Sequence, residues 1–217
     1  NKRYFLWCGL KEDQLTFAPH AVDNEFFMKD DEKRRQEALK IREDLGIDPL
    51  ATVFLFAGKL ETKKQPIELA EAFASLQSQA HLIYVGSGML EDALKERFDS
   101  NSNIHFVGFQ NQSKMPIWYR VGDVFCLPSR GPGETWGLAV NEALACGCSV
   151  IVSDRVGCAE DLVKGQPFGR IIPAQKSSLW ADAMRDGSRS QSDGEAIVQY
   201  IRNWDPERFS TALKNKL

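Results

Sequence analysis

The chain has 217 residues, 43% of them hydrophobic and 26% charged, which excludes a disordered chain and provides enough apolar side chain for one large domain. Its 27 lysines and arginines against 30 acidic residues leave a net charge of −3, so there is no overall basic field to draw it onto nucleic acid or anionic lipid. Its longest apolar runs, residues 53–57 and 82–85, fall far short of the roughly 20 residues that span a bilayer.

The opening segment, Asn1-Lys2-Arg3-Tyr4-Phe5-Leu6-Trp7-Cys8, places two basic residues before an apolar patch. Gly9 and the charged Lys11-Glu12-Asp13 end that patch before a signal-peptide core forms. The sequence lacks an initiator Met, and we expect a fragment of a longer protein. Residues 1–29 carry aromatics and Pro19 without a clear period. Residues 30–45 read as a charged surface helix stopped by Gly46, with Pro49 shortly after.

Six short runs rich in apolar, β-branched or aromatic residues follow, at 52–57, 81–85, 103–107, 123–127, 149–152 and 170–172. Nearly every residue in them is apolar, as in strands covered on both faces. Helical patterns lie between them at 66–76, 90–98, 116–121 and 138–145. Regular alternation of this kind predicts an α/β fold, a doubly wound parallel sheet of about six strands with helices on both faces. Beyond Ser177 the sequence reads as two or three amphipathic helices around a polar gap at 186–194, expected to be a mobile loop.

Five cysteines at 8, 126, 146, 148 and 158, with no Cys-x-x-Cys pair, suit a reducing cytoplasm. His20, His81 and His105 stand at no ligand spacing from Cys146-Gly147-Cys148, so no metal is expected and the cysteines read as small buried residues.

Two segments carry chemistry. Pro128-Ser129-Arg130-Gly131-Pro132-Gly133-Glu134-Thr135-Trp136-Gly137-Leu138-Ala139-Val140-Asn141-Glu142 is a strand end, a glycine-rich loop and a helix start. Free N–H groups and the positive end of the helix dipole favour an anion there. Glu134 and Glu142 are placed to face one crevice above the sheet, although a pair of Glu at a given spacing is weak evidence without the loop around it. Trp136 reads equally as core or as ligand contact. The second segment, Gly58-Lys59-Leu60-Glu61-Thr62-Lys63-Lys64-Gln65-Pro66, sets Lys59 and Lys64 at the two ends of a short loop, suited to gripping a diphosphate.

The ordered set of these motifs resembles the C-terminal, donor-binding half of the GT-B-fold family 4 glycosyltransferases (glycosyl transferase group 1). Pro19-His20-Ala21-Val22-Asp23 is similar to the family's interdomain Pro-Asn-Gly-Val-Asp, and Gly58-Lys59-Leu60 with Lys64 to its Gly-Arg-Leu and following Lys-Gly. Val85-Gly86-Ser87-Gly88, Phe106-Val107-Gly108, residues 123–129 and residues 150–154 follow in the family's order, and Glu134 to Glu142 matches its E-x7-E signature. The similarity runs from about residue 19 to 163.

The resemblance implies a donor domain of a retaining hexosyltransferase that uses a nucleotide-diphosphate sugar and needs no metal or other cofactor. Lys59 and Lys64 hold the diphosphate, helped by the N–H groups of Gly137 and Leu138, while Gly58 opens the loop. Glu142 binds the ribose, Glu134 with the backbone of Thr135 and Trp136 grips the sugar, and Phe109 lies near the base. The partners implied are the donor, a glycan or lipid-linked acceptor, and an N-terminal acceptor domain. No nucleic acid is expected. Polysaccharide or lipopolysaccharide assembly in the cytoplasm is the expected setting, with peripheral membrane docking through the other domain. The matching boundaries are 1–29 as interdomain linker, 30–175 as the Rossmann-like domain and 176–217 as helices completing it. Three departures stand out: Lys59 for the usual Arg, Gln65 for Gly, and His20-Ala21 for Asn-Gly. Two other readings are a GT-B-type epimerase or phosphorylase, the latter lacking an evident pyridoxal-binding Lys, and a non-catalytic nucleotide-binding module.

Overall fold

The computed structural model describes residues 2–29, 32–76, 78–131, 133–176, 178–187 and 193–214. Its centre is a six-stranded sheet in the order β3-β2-β1-β4-β5-β6, parallel throughout. The strands are β1 Val53–Ala57, β2 His81–Val85, β3 Ile104–Gly108, β4 Val124–Leu127, β5 Ser149–Ser153 and β6 Gly169–Ile172. This is the doubly wound α/β arrangement expected from the sequence, and β2 matches the expected run at both ends. Several other runs begin one residue later. At β4 the run opens on Asp123, whose carboxylate accepts from the Val53 N–H at 2.7 Å and from Arg42 Nη2 at 2.7 Å while its own N–H donates to the Val53 carbonyl at 2.8 Å, so the residue pins the start of the strand.

The first three helices are α1 Lys2–Trp7, α2 Asn24–Met28 and α3 Glu32–Asp44. The first two, with a 3₁₀ turn at Glu12–Gln14, give local structure to a segment in which the sequence showed no period. Positions 30 and 31 of the expected charged helix lie outside the described residues. The helices that cross between strands are α4 Pro66–Ala74, α5 Glu91–Phe98, α6 Met115–Val121 and α7 Leu138–Ala145. Pro66 opens α4 at the position where a missing N–H is harmless. The tail forms α8 Ser178–Gly187, α9 Gly194–Ile201 and α10 Pro206–Lys214, and residues 188–192 of the expected polar gap lie outside the described residues.

Because β1 carries side chains on both faces of a covered sheet, all five are buried. Leu55 and Ala57 join Val140, Leu144 and Ile197 on one side, while Phe54 and Phe56 join Leu69, Phe73 and Met184 on the other. Burying each large side chain contributes roughly 1.5–3 kcal/mol. Helices α4 and α7, which follow β1 and β4, therefore lie on opposite faces. The segment around α2 is fastened to the first of these layers: Asn24 Nδ2 donates to the carbonyls of Ile201 at 3.0 Å and Trp204 at 3.2 Å, and Arg120 Nη2 donates to the carbonyl of Phe27 at 3.0 Å. Cys126, Cys148 and Cys158 are buried as expected, Cys146 is partly buried, and Cys8, on the exposed turn after α1, is not.

Candidate functional site

Strand order reverses between β1 and β4, and the loops leaving their carboxyl ends part to opposite faces, which opens a crevice there. Two contacts tie these loops together. The Arg130 N–H donates to the Lys63 carbonyl at 2.8 Å, and Lys64 Nζ forms a close ion pair with Glu134 Oε2. Ser129 Oγ donates to the same carboxylate oxygen at 2.8 Å, and Ser153 Oγ donates to the Ser129 carbonyl. The Lys64 and Glu134 side chains are 16% and 11% exposed, so water screens their attraction only in part.

The loop from Glu134 to Gly137 is held from behind. The N–H groups of Gly157 and Cys158 donate to the carbonyls of Glu134 at 3.0 Å and Trp136 at 2.8 Å. A Cβ on Gly157 would stand 1.9 Å from the Thr135 carbonyl oxygen, so only glycine permits this approach. Gly137, at φ 92°, turns the chain into α7. Among the described residues the N–H groups of Gly137 and Leu138 donate to no acceptor and stand at the positive end of the helix.

One turn into α7, Glu142 is partly buried and accepts a 2.7 Å hydrogen bond at Oε2 from Tyr119 of α6. Burial raises the Glu142 pKa above the ordinary carboxylate range, and the phenol's hydrogen bond opposes that rise. The Tyr119 phenol is itself pushed well upward by burial and by the neighbouring Glu142 charge, so it remains a donor.

Of the residues singled out in the sequence, Lys64 and Glu134 are in contact, and a Cβ on Gly58 would stand 3.9 Å from the Lys64 amine. Lys59 is exposed and, among the described residues, forms no ion pair. Thr135 is exposed, Leu138 is 43% exposed and Phe109 is 72% exposed at the end of β3. Trp136 resolves toward the core: its indole N–H donates to Asn141 Oδ1 at 2.8 Å, and its ring lies against His20 and Trp204. Gln65, at the departure from the family's Gly, is left-handed at φ 50°.

Sequence reasoning missed the roles of Tyr119, Ser129, Ser153 and Gly157. Tyr119 sits in an unremarkable apolar helix pattern and had no local signal. Gly157, beyond the end of β5 in Val156-Gly157-Cys158, is a loop glycine of a kind the sequence holds at several places, so it carried no distinguishing signal.

A parallel, doubly wound sheet whose strand order reverses between β1 and β4 defines the Rossmann-like class of α/β domains. The chain belongs to the glycosyl transferases group 1 family, whose sequence profile matches residues 37–204. It is 31% identical over 170 residues to D-inositol 3-phosphate glycosyltransferase of Jonesia denitrificans, covering 72% of this chain and 38% of that one. Across the similar curated relatives the chain spans between 34% and 50% of their length. Its fold is similar to that of Anabaena HepE in complex with UDP-glucose, with a TM-score of 0.77 at 18% identity, covering 98% of this chain and 60% of that one. It is also similar to the crystallised C-terminal domain of a glycosyl transferase group 1 family protein from Francisella tularensis, with a TM-score of 0.64 at 20% identity, covering 89% of this chain and 97% of that one.

Proposed function

We propose that this chain is the donor-binding half of a retaining, nucleotide-sugar-dependent hexosyltransferase. The observation that carries the reading is the Lys64–Glu134 pair beside the free N–H groups of Gly137 and Leu138, at the sheet's switch point. In this reading Lys59 and Lys64 hold the donor's diphosphate together with those N–H groups, and stabilise the charge that develops on the leaving phosphate as the glycosidic bond breaks. Cationic side chains then replace a metal, and no cofactor is needed. Glu134, with the backbone of Thr135 and Trp136, accepts from the sugar hydroxyls and orients the anomeric carbon. Glu142 accepts from the ribose hydroxyls, and Phe109 offers an apolar face to the base.

The acceptor lies on an N-terminal domain beyond this chain, and the fragment alone binds donor weakly without turnover. A glycan or lipid-linked acceptor in polysaccharide or lipopolysaccharide assembly is supported by likeness of fold to WaaG, a glycosyltransferase involved in lipopolysaccharide biosynthesis. A second reading, transfer to a phosphorylated inositol, is favoured by relatives named for D-inositol 3-phosphate. Cytoplasmic placement fits the free cysteines, and among the described residues no helix is long and apolar enough to cross a membrane.

Calorimetric titration with UDP, GDP and ADP tests the donor site. One nucleotide is expected to bind, and Glu142→Ala and Lys59→Ala/Lys64→Ala are expected to weaken it at least tenfold. Affinity unchanged in both variants would overturn the assignment, and sugar transfer by the 217-residue chain would overturn its inactivity.

A further inference from the structure

Glu142 is a carboxylate in a half-closed position with a single hydrogen-bond partner among the described residues. The groups that face it are few. From α6 comes the Tyr119 phenol, and at the end of α7 the Cys146 thiol feels Glu142 together with Arg120 and Arg34. Arg120 is committed elsewhere: Nη1 donates to the Pro116 carbonyl at 2.8 Å and to Cys146 Sγ at 3.4 Å, and Nη2 to the Phe27 carbonyl. Cys146 is held as the neutral thiol, its pKa pushed up to about 12 by burial. Among the described residues the Glu142 carboxylate is therefore met by one phenol and forms no ion pair.

That phenol is fixed on every side. Tyr119 is 1% exposed, its ring meets Phe27 and Phe125 edge-on at 6.2 and 5.8 Å, and its carbonyl accepts from the Cys148 thiol at 2.9 Å. Its hydroxyl has one direction to point, and it meets Oε2. Among the described residues nothing donates to Oε1.

We propose that Tyr119 is a positioning residue for nucleotide binding, fixing the Glu142 carboxylate in one orientation so that Oε1 accepts from the ribose hydroxyls. The inference rests on the assignment of Glu142 to the ribose. A long, flexible Glu side chain otherwise loses rotamer freedom when it grips a ligand, and the buried phenol removes that loss beforehand. The same hydrogen bond favours the ionised carboxylate and so opposes the rise that burial imposes.

The test is a double-mutant cycle on this chain with Tyr119→Phe, Glu142→Ala and the two combined, read as the Kd for UDP by calorimetry from pH 5 to 8, with GDP and ADP alongside. Tyr119→Phe keeps the ring and its packing. It is expected to weaken UDP about tenfold, the range for a hydrogen bond to a charged group, and to move the acid limb of binding to higher pH. In the Glu142→Ala background the same change is expected to have no further effect. If Tyr119→Phe weakens UDP equally in both backgrounds, or leaves Kd and the acid limb at wild-type values while Glu142→Ala weakens binding, Tyr119 is packing and this inference alone falls. If Glu142→Ala leaves UDP affinity unchanged, or the wild-type chain binds none of the three nucleotides, the ribose assignment falls and takes this inference with it.

Discussion

Glu134→Gln isolates the competition built into the site. The substitution keeps the side chain's shape and its hydrogen bond from Ser129, and removes the charge that now occupies Lys64. At an effective dielectric of about 20 and a charge separation of about 4 Å, such a pair is worth roughly 4 kcal/mol of Coulomb energy. A diphosphate that recruits Lys64 recovers most of this, since it is also an anion, but it must share the amine with Glu134. If about a third of the attraction is lost in sharing, removing the carboxylate strengthens diphosphate binding by about 1.4 kcal/mol, a tenfold lower Kd. The assay is calorimetry with UDP against uridine. The gain is expected for UDP, absent for uridine, and abolished by adding Lys64→Ala. UDP binding Glu134→Gln no more tightly than the wild type would refute the reasoning, because the pair would then offer the incoming anion no competition.

Three further outcomes are expected. Gln65→Gly relieves a left-handed backbone that costs a non-glycine residue about 1 kcal/mol, offset in part by glycine's greater freedom when unfolded, so urea denaturation should register a gain of roughly 0.5 kcal/mol; a loss above that size would count against strain at this position. Gly157→Ala drives a methyl into the Thr135 carbonyl, so a stability loss of about 2 kcal/mol and a failure to bind nucleotide are expected together, and wild-type values by melting and titration would remove Gly157 as the loop's support. The third concerns His81 and His105, whose nitrogens meet at 2.9 Å with centroids 5.2 Å apart and planes 17° apart, an edge-to-edge contact that needs a neutral acceptor. Burial lowers both pKa values, with Arg42 adding to His81 and His81 to His105. The unfolded chain therefore binds more protons, and the pair's contribution is complete above about pH 6.5 and lost as pH falls toward the folded values. Denaturation curves from pH 5 to 8 should steepen in this way for the wild type and flatten for His105→Asn; equal slopes would discount the pair.

The strands and the helix from Leu138 to Ala145 were legible because their signals are local: apolar runs, Pro66 at a helix start, Gly46 and Gly147 at helix ends. The ion pair between Lys64 and Glu134 was legible only as two residues at one sheet edge, since nothing local records which cation meets which carboxylate across 70 residues. Tyr119 and Asn24 were invisible for a stronger form of the same reason. Their partners, Glu142 and the carbonyls of Ile201 and Trp204, are chosen by packing, and an aromatic in an apolar helix or an Asn in a linker carries no mark of it. Trp136 was undecided in the sequence because a Trp beside a glycine loop suits core and ligand equally. The neighbours that decide it, Asn141 and Trp204, become neighbours only once the chain has folded.

The reversal of strand order bears on how the molecule assembles. Strands β1 to β3 and strands β4 to β6 are each contiguous in the chain, and the sheet is completed when β1 meets β4, a contact that closes a loop of about 70 residues and carries the entropy of that closure. The Lys63–Arg130 and Lys64–Glu134 contacts lie on the same joint. On the proposed function, a nucleotide seated there would touch both half-sheets at once and, at a hundred times its Kd, would add about 2.7 kcal/mol to their union. A chain severed in the segment between β3 and α6 should thus rejoin slowly and weakly alone, and promptly when the nucleotide is supplied.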